Sequence, residues 1–292
     1  MKPRSAGYLH VSQRGVRVVP PIPSHVFVKT QCPRIWALLN EKAKGSLPKG
    51  IEDFVSGEWF ADGRTQLQSA DARVAALCAK TSEVTVADAY RRDFSGVGSE
   101  YKLAELLCEL TLVDAIAGVS DSQPVFRPAT RNKKRCDARV VLAGRDVYAE
   151  VKRLADAWEG GVRSIAKTLH GPKPALASRP RAMDLFSKLE EVPGQFPQST
   201  MNILFLFHPS VWNSPVYIKQ ALFGDASGFD ESPNPQVHDD GLFCLSEWRE
   251  VTACAHSRIN EDGSLSIVQV WRNPNANTVL PEDVLQRVAN AG

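Results

Sequence analysis

The chain has 292 residues, 43% of them hydrophobic and 8% aromatic, with a formal net charge of +2. These values suit a soluble globular protein with one large domain, or a domain plus an appendage, and exclude both a disordered chain and a uniformly basic nucleic-acid coat. No stretch reaches the ~18–20 apolar residues of a membrane span and no signal-peptide core opens the chain, while the six scattered cysteines lack any C-x-x-C pair, so reduced thiols and a cytoplasmic location are expected rather than disulfides or structural zinc.

Residues 1–25 are basic and proline-punctuated, and read as a loose arm or an edge strand. From Ile35 to Phe94 helical patterns dominate, among them IWALLNEKA and ADARVAALCAK, with breaks at Pro48-Lys49-Gly50 and around Thr81-Ser82. The loop SGVGS then leads into SEYKLAELLCELTLVDAI. There Leu103, Leu106, Leu107 and Leu110 make an apolar stripe at helical spacing, with Ser99 as the N-cap and, because Lys102 stands three residues on, no capping box. A loop containing RNKKR precedes a hairpin over 136–154, and a long polar connection spans 155–181. An amphipathic helix is expected from Ala182 through Val192, stopped by Pro193-Gly194, and NILFLF (202–207) reads as a buried strand. VYIKQALFG reads as a short helix, GLFCLS and SLSIVQVW as late strands, and a terminal helix begins near Pro281. This order predicts an α/β protein: residues 1–95 form a mainly helical N-terminal extension, and residues 96–292 form a mixed-sheet α/β domain flanked by helices.

The hairpin CDARVVLAGRDVYAEVKRL sorts its residues onto two faces. Alternation puts Ala138, Val140, Leu142, Val147, Ala149 and Val151 on one face, and Asp137, Arg139, Val141, Tyr148, Glu150 and Lys152 on the other. A turn centred on Gly144-Arg145 would set Asp137 opposite Lys152 and Arg139 opposite Glu150. Side chains so paired have Cβ atoms ~4.5–5.5 Å apart, close enough to share a divalent cation. An acid-x-Lys triplet is common by chance. The second one here, Glu100-Tyr101-Lys102, lies in a helix, where i and i+2 do not share a face.

The spacing Asp137-x12-Glu150-x-Lys152, together with an upstream helix bearing Glu100, resembles the PD-(D/E)xK nuclease superfamily, whose fold is that of restriction endonucleases. The resemblance covers roughly residues 96–210 (the motif core), and G-S-E-Y-K-L-A-E-L-L is similar to the family's first helix. Cys136 stands where the family name has proline. The resemblance implies a restriction-endonuclease-like core and a Mg²⁺- or Mn²⁺-dependent hydrolase that cuts phosphodiester bonds, DNA ahead of RNA. It implies that Asp137, Glu150 and the Val151 carbonyl hold the metal, with Glu100 orienting it or recruiting a second ion. Lys152 would position water and offset charge on the phosphate, and Gln195, after KLEEVPG, would stand near the site. The cation would polarise the scissile phosphate.

Basic residues cluster around the hairpin: Arg131, Lys133, Lys134, Arg135 and Arg153 flank it, and Arg163, Lys167, Lys173, Arg179, Arg181 and Lys188 follow. Such a cluster contacts phosphates without reading bases. P-loop, nucleophile-elbow and base-reading signatures are absent from the sequence, and the histidines are dispersed. Two rival readings remain: a catalytically inactive nuclease-like fold that binds nucleic acid as a subunit, and a protein-interaction module worked by the N-terminal helices. Double-strand cleavage would suit a homodimer or a partner subunit in a larger system.

Overall fold

A computed structural model of the chain describes residues 8–12, 15–19, 22–57, 62–130, 134–153, 189, 192–207, 215–224, 232, 235–260 and 264–291. The chain divides into two compact units, Met1–Leu110 and Thr111–Gly292. The boundary between these units falls inside a helix, α7 (Glu100–Gly118). One reason is local. The loop before α7 is tied to the preceding helices, since the Gly50 N–H donates to the Val97 carbonyl at 3.1 Å. Gly50 also approaches the Ser99 backbone so closely that a Cβ there would lie 2.5 Å from the Ser99 carbonyl oxygen.

The first unit opens with an antiparallel hairpin, β1 (Tyr8–Ser12) and β2 (Gly15–Val19), rather than a lone arm. Six helices follow: α1 (Ser24–Gln31), α2 (Pro33–Leu38), α3 (Glu41–Gly45), α4 (Lys49–Ser56), α5 (Gly63–Lys80) and α6 (Glu83–Gly96). Side-chain caps mark two of the starts. Asn40 accepts from the Ala43 N–H at the head of α3, and Ser82 accepts from the Thr85 N–H at the head of α6. The break expected at Pro48-Lys49-Gly50 falls between α3 and α4, with Pro48 as the N-cap of α4 and Lys49-Gly50 opening it. The core holds Ile35, Ile51, Phe54, Leu67, Leu77, Tyr90 and Phe94, all fully buried.

The second unit is α/β, a six-stranded mixed sheet flanked by helices. Its strands are β3 (Val125–Phe126), β4 (Ala138–Leu142), β5 (Arg145–Arg153), β6 (Met201–Phe207), β7 (Ala253–Ile259) and β8 (Leu265–Arg272), neighbours in chain order. The pairs β3–β4, β4–β5 and β7–β8 are antiparallel, while β5–β6 and β6–β7 are parallel. Helices α8 (Pro215–Phe223) and α9 (Glu282–Ala289) belong to this unit, as does the far half of α7. The turn after α7 is pinned to β4 by the Asp121 N–H donating to the Val141 carbonyl at 2.8 Å.

Both faces of the sheet are covered. Val140, Leu142, Val147, Ala149, Ile203, Phe205, Ala253 and Ala255 are buried on one face. On the other, Leu204, Leu206, Cys254 and Trp271 join Leu189, Val192, Phe196, α8 and the segment 242–251 in one apolar cluster. GLFCLS is not a strand: it supplies 3-10 turns at Leu242–Cys244 and Ser246–Glu250. The strand formed instead is β7, whose sequence ACAHSRI shows neither alternation nor a continuous apolar run. Pro193 and Gly194 lie within a 3-10 turn, Val192–Gln195, and the helix expected from Ala182 lies largely outside the described residues. All six cysteines are free. No helix among the described residues is long and apolar enough to cross a membrane.

Candidate functional site

The β4–β5 turn decides which side chains meet. Ala143 and Gly144 occupy its centre with φ of +50° and +72°, the positive pair that matches strand twist in a two-residue hairpin loop. The Gly144 N–H is held by the Asp121 carboxylate at 2.9 Å. Partners therefore follow Ala138↔Ala149, Arg139↔Tyr148 and Val140↔Val147. This corrects the pairing expected from a turn at Gly144-Arg145: Arg139 faces Tyr148, not Glu150. Asp137 lies just before the paired residues, with its N–H on the Ala149 carbonyl rather than opposite Lys152. The slip is an even number of residues, so every side chain keeps its expected face.

Asp137, Glu150 and Lys152 come together on that face. The Asp137 carboxylate accepts the Val151 N–H at 2.7 Å, and its own N–H donates to the Ala149 carbonyl at 3.0 Å. Lys152 Nζ donates to Glu150 Oε1 at 2.6 Å. The Glu150 side chain is only 4% exposed, whereas that of Lys152 is 33% exposed, so the ammonium forms the solvent edge of the group. Glu150 neighbours Leu204 and Lys152 neighbours Leu206 across the parallel β5–β6 pair, and both leucines belong to the apolar cluster. Glu150 is thus a carboxylate set among hydrocarbon.

Its second oxygen, Oε2, is buried without a hydrogen-bond partner among the described residues. Burial, and then the neighbouring Asp137 charge, push the Glu150 carboxyl up from 4.5 to about 7, against the pull of Lys152. Cys136 reports the same negative surroundings. Its fully buried thiol is pushed up to about 12 by burial, then by Glu150 and Asp137.

Two carboxylates and the Val151 carbonyl suit a hard cation that takes one or two protein carboxylates and completes its shell with water and phosphate oxygens. The partnerless Glu150 oxygen has the character of an unused ligand. Among the described residues, no group of three or more His, Cys, Asp or Glu side chains is arranged to hold a metal ion, so any cation here would rest on this carboxylate pair.

Glu100 opens α7 and is 4% exposed, which excludes an exposed helix-end glutamate. Ser99 caps that helix, accepting the Lys102 N–H at 3.3 Å. Glu100 is counted with the first unit. Gln195 ends the 3-10 turn beside Phe196, a member of the apolar cluster on the Glu150 face, and its buried Oε1 has no hydrogen-bond partner among the described residues.

The basic loop continues the β3–β4 ladder. The Arg127 N–H donates to the Asp137 carbonyl at 2.9 Å, Ala129 bridges Arg135, and the Thr130 N–H donates to the Lys134 carbonyl at 2.9 Å. Lys134 and Arg135 are exposed on this arm, and Arg153 is half-buried at the end of β5. Lys134 Nζ lies 3.3 Å from where a Cβ on Gly194 would stand, next to Gln195. Arg131 and Lys133, and the basic connection from Arg163 to Lys188, lie outside the described residues.

The sequence alone reads His256 as a packing or surface histidine rather than a ligand. Lys152 pairs with Leu206, and Leu206 with His256, so buried His256 lies at the level of Lys152 on the same face, two strands away. Only the strand assignment of ACAHSRI would have revealed this. Compared with models of known protein families, with curated proteins and with solved structures, the chain matches none.

Proposed function

We propose that this protein is a divalent-cation-dependent nuclease that hydrolyses phosphodiester bonds in nucleic acid, DNA ahead of RNA. The observation that carries the reading is Glu150: a buried carboxylate beside a second carboxylate, with one oxygen lacking a partner and one bonded to a half-exposed lysine. A purely structural face would satisfy or exclude such a charge. The succession of strand directions, an antiparallel hairpin followed by parallel neighbours and a closing antiparallel strand, supports a restriction-endonuclease-like core.

Asp137, Glu150 and the Val151 carbonyl would hold Mg²⁺ or Mn²⁺. When bound, that ion supplies Lewis-acid polarisation of the scissile phosphate. Asp137 is fixed by the Val151 N–H, so its other carboxylate oxygen is held in a set direction. Burial and the Asp137 charge hold the Glu150 carboxyl up at about 7, so a bound cation would ease its ionisation and couple the site's charge to occupancy. Lys152, anchored by Glu150 yet reaching solvent, is placed to hold a phosphate oxygen and orient an attacking water. Lys134 and Arg135 extend the positive surface along the backbone of the substrate.

The test is to incubate the protein with plasmid, linear duplex, single-stranded DNA and RNA in Mg²⁺, Mn²⁺ or EDTA, beside Lys152→Ala and Asp137→Asn. Cutting that requires the metal and disappears in both variants is expected. Binding without any cutting, equal in wild type and variants, would replace this reading with that of an inactive nucleic-acid-binding subunit.

A further inference from the structure

The helical unit contains a cleft of its own, about 690 Å³, between α3, the loop after it and α6. Lys42, Arg91 and Arg92 line it against a single acid, Asp88. None of the three cations forms an ion pair among the described residues, and Arg91 and Arg92 are exposed. Two polar groups at its wall each already accept a hydrogen bond. Asn40 Oδ1 accepts the Ala43 N–H at 2.9 Å, which leaves its amide nitrogen as a donor. Ser95 Oγ accepts the Asn40 N–H at 2.9 Å, leaving its hydroxyl proton to donate. The wall therefore offers donors and positive charge, which matches an anion rich in oxygen.

The cleft is far larger than one inorganic phosphate requires, given that a water molecule occupies about 30 Å³. No aromatic side chain lines it, so nothing there would stack a base. We propose that this cleft takes successive phosphate groups of a nucleic-acid strand, as a sequence-independent backbone contact belonging to the helical unit. The inference concerns binding alone and stands apart from the cutting chemistry of Asp137, Glu150 and Lys152.

The experiment uses the full chain in EDTA, so that no cutting intervenes. Affinity for a short labelled single strand is measured across salt concentrations, for wild type and for the triple variant Lys42→Gln, Arg91→Gln, Arg92→Gln. Losing three phosphate contacts should flatten the log-affinity against log-salt slope by about 2, at ~0.7 per contact, with the melting temperature unchanged. The Arg91→Lys, Arg92→Lys variant should retain the wild-type slope. A triple variant with an unaltered slope overturns the proposal. So does a mononucleotide or inorganic phosphate that binds the cleft as tightly as the strand, because the site would then serve a small anion. Loss of cutting in Lys152→Ala with the cleft's salt dependence intact leaves this inference standing, while wild-type cutting beside a cleft without effect removes it alone.

Discussion

Asp71 in the helical unit and Glu150 in the sheet unit are both buried acids whose carboxyls are pushed upward chiefly by burial. Their surroundings differ in kind. Asp71 accepts the Ile35 N–H at 2.7 Å, at the head of α2, and backbone donors together with the Arg34 charge pull its carboxyl back down. It caps a helix and needs nothing more. Glu150 has one oxygen on Lys152 and one on nothing described, and beside the lysine stands a second carboxylate, Asp137, whose charge pushes it further upward. Burial alone therefore does not mark a site. What separates the two acids is whether folding satisfies the group it buries.

The largest test of that contrast is catalytic. Asp137→Asn and Lys152→Ala should lower metal-dependent cutting by about 100- to 1,000-fold, the range lost when one preorganised electrostatic group is removed. Asp71→Ala should leave cutting unchanged in a plasmid-nicking time course. Its effect is on stability instead, a loss of about 1–3 kcal/mol in denaturant unfolding, because the buried Ile35 N–H is left without an acceptor.

Glu150→Gln should do the reverse. With its carboxyl raised from 4.5 to about 7, native Glu150 holds its proton more tightly than the unfolded chain does. Its contribution to stability therefore falls as pH rises through that window and is level above it. At pH 8 Glu150→Gln should be more stable than wild type by on the order of 3 kcal/mol, and near pH 4 almost equal to it, while cutting is abolished. Equal stability of the two proteins at every pH would mean that the carboxylate carries no burial penalty.

Cation binding gives a comparable effect through the same group. Mg²⁺ or Mn²⁺ at about 100 times its dissociation constant should stabilise the fold by about 2.7 kcal/mol, read as a rise in melting temperature. That rise should grow from pH 6 to pH 8, as Glu150 loses its proton more easily, and vanish in Glu150→Gln. The smallest effect belongs to the exposed arm. Lys134→Gln with Arg135→Gln should lower the salt slope of duplex binding by about 2 without moving the melting temperature.

Much of the site was legible because it depends on local periodicity. The alternation over 138–153 separated the apolar face from Tyr148, Glu150 and Lys152, and the strand NILFLF announced itself by continuous apolarity. Register was not legible. It turns on Ala143 adopting positive φ, which its residue type does not advertise, and on Asp121, distant in sequence, holding the Gly144 N–H. ACAHSRI was passed over and GLFCLS misjudged for a related reason. The first becomes a strand because β6 and β8 pair with it on either side, and the second becomes 3-10 turns packed beneath α8.

By itself, the amino-acid order determined which side chains share a face of the hairpin and that two acids and a lysine are among them, since a period of two residues is a property of any extended chain. Tertiary structure decided that Glu150 is buried while Lys152 reaches water. That outcome depends on Leu204 and Leu206 from the neighbouring strand and on Val192 and Phe196 from the turn covering it. The physical reason is desolvation: whether a carboxylate is an ordinary surface charge or one raised to about 7 depends on what excludes water around it, and those groups arrive from distant parts of the chain.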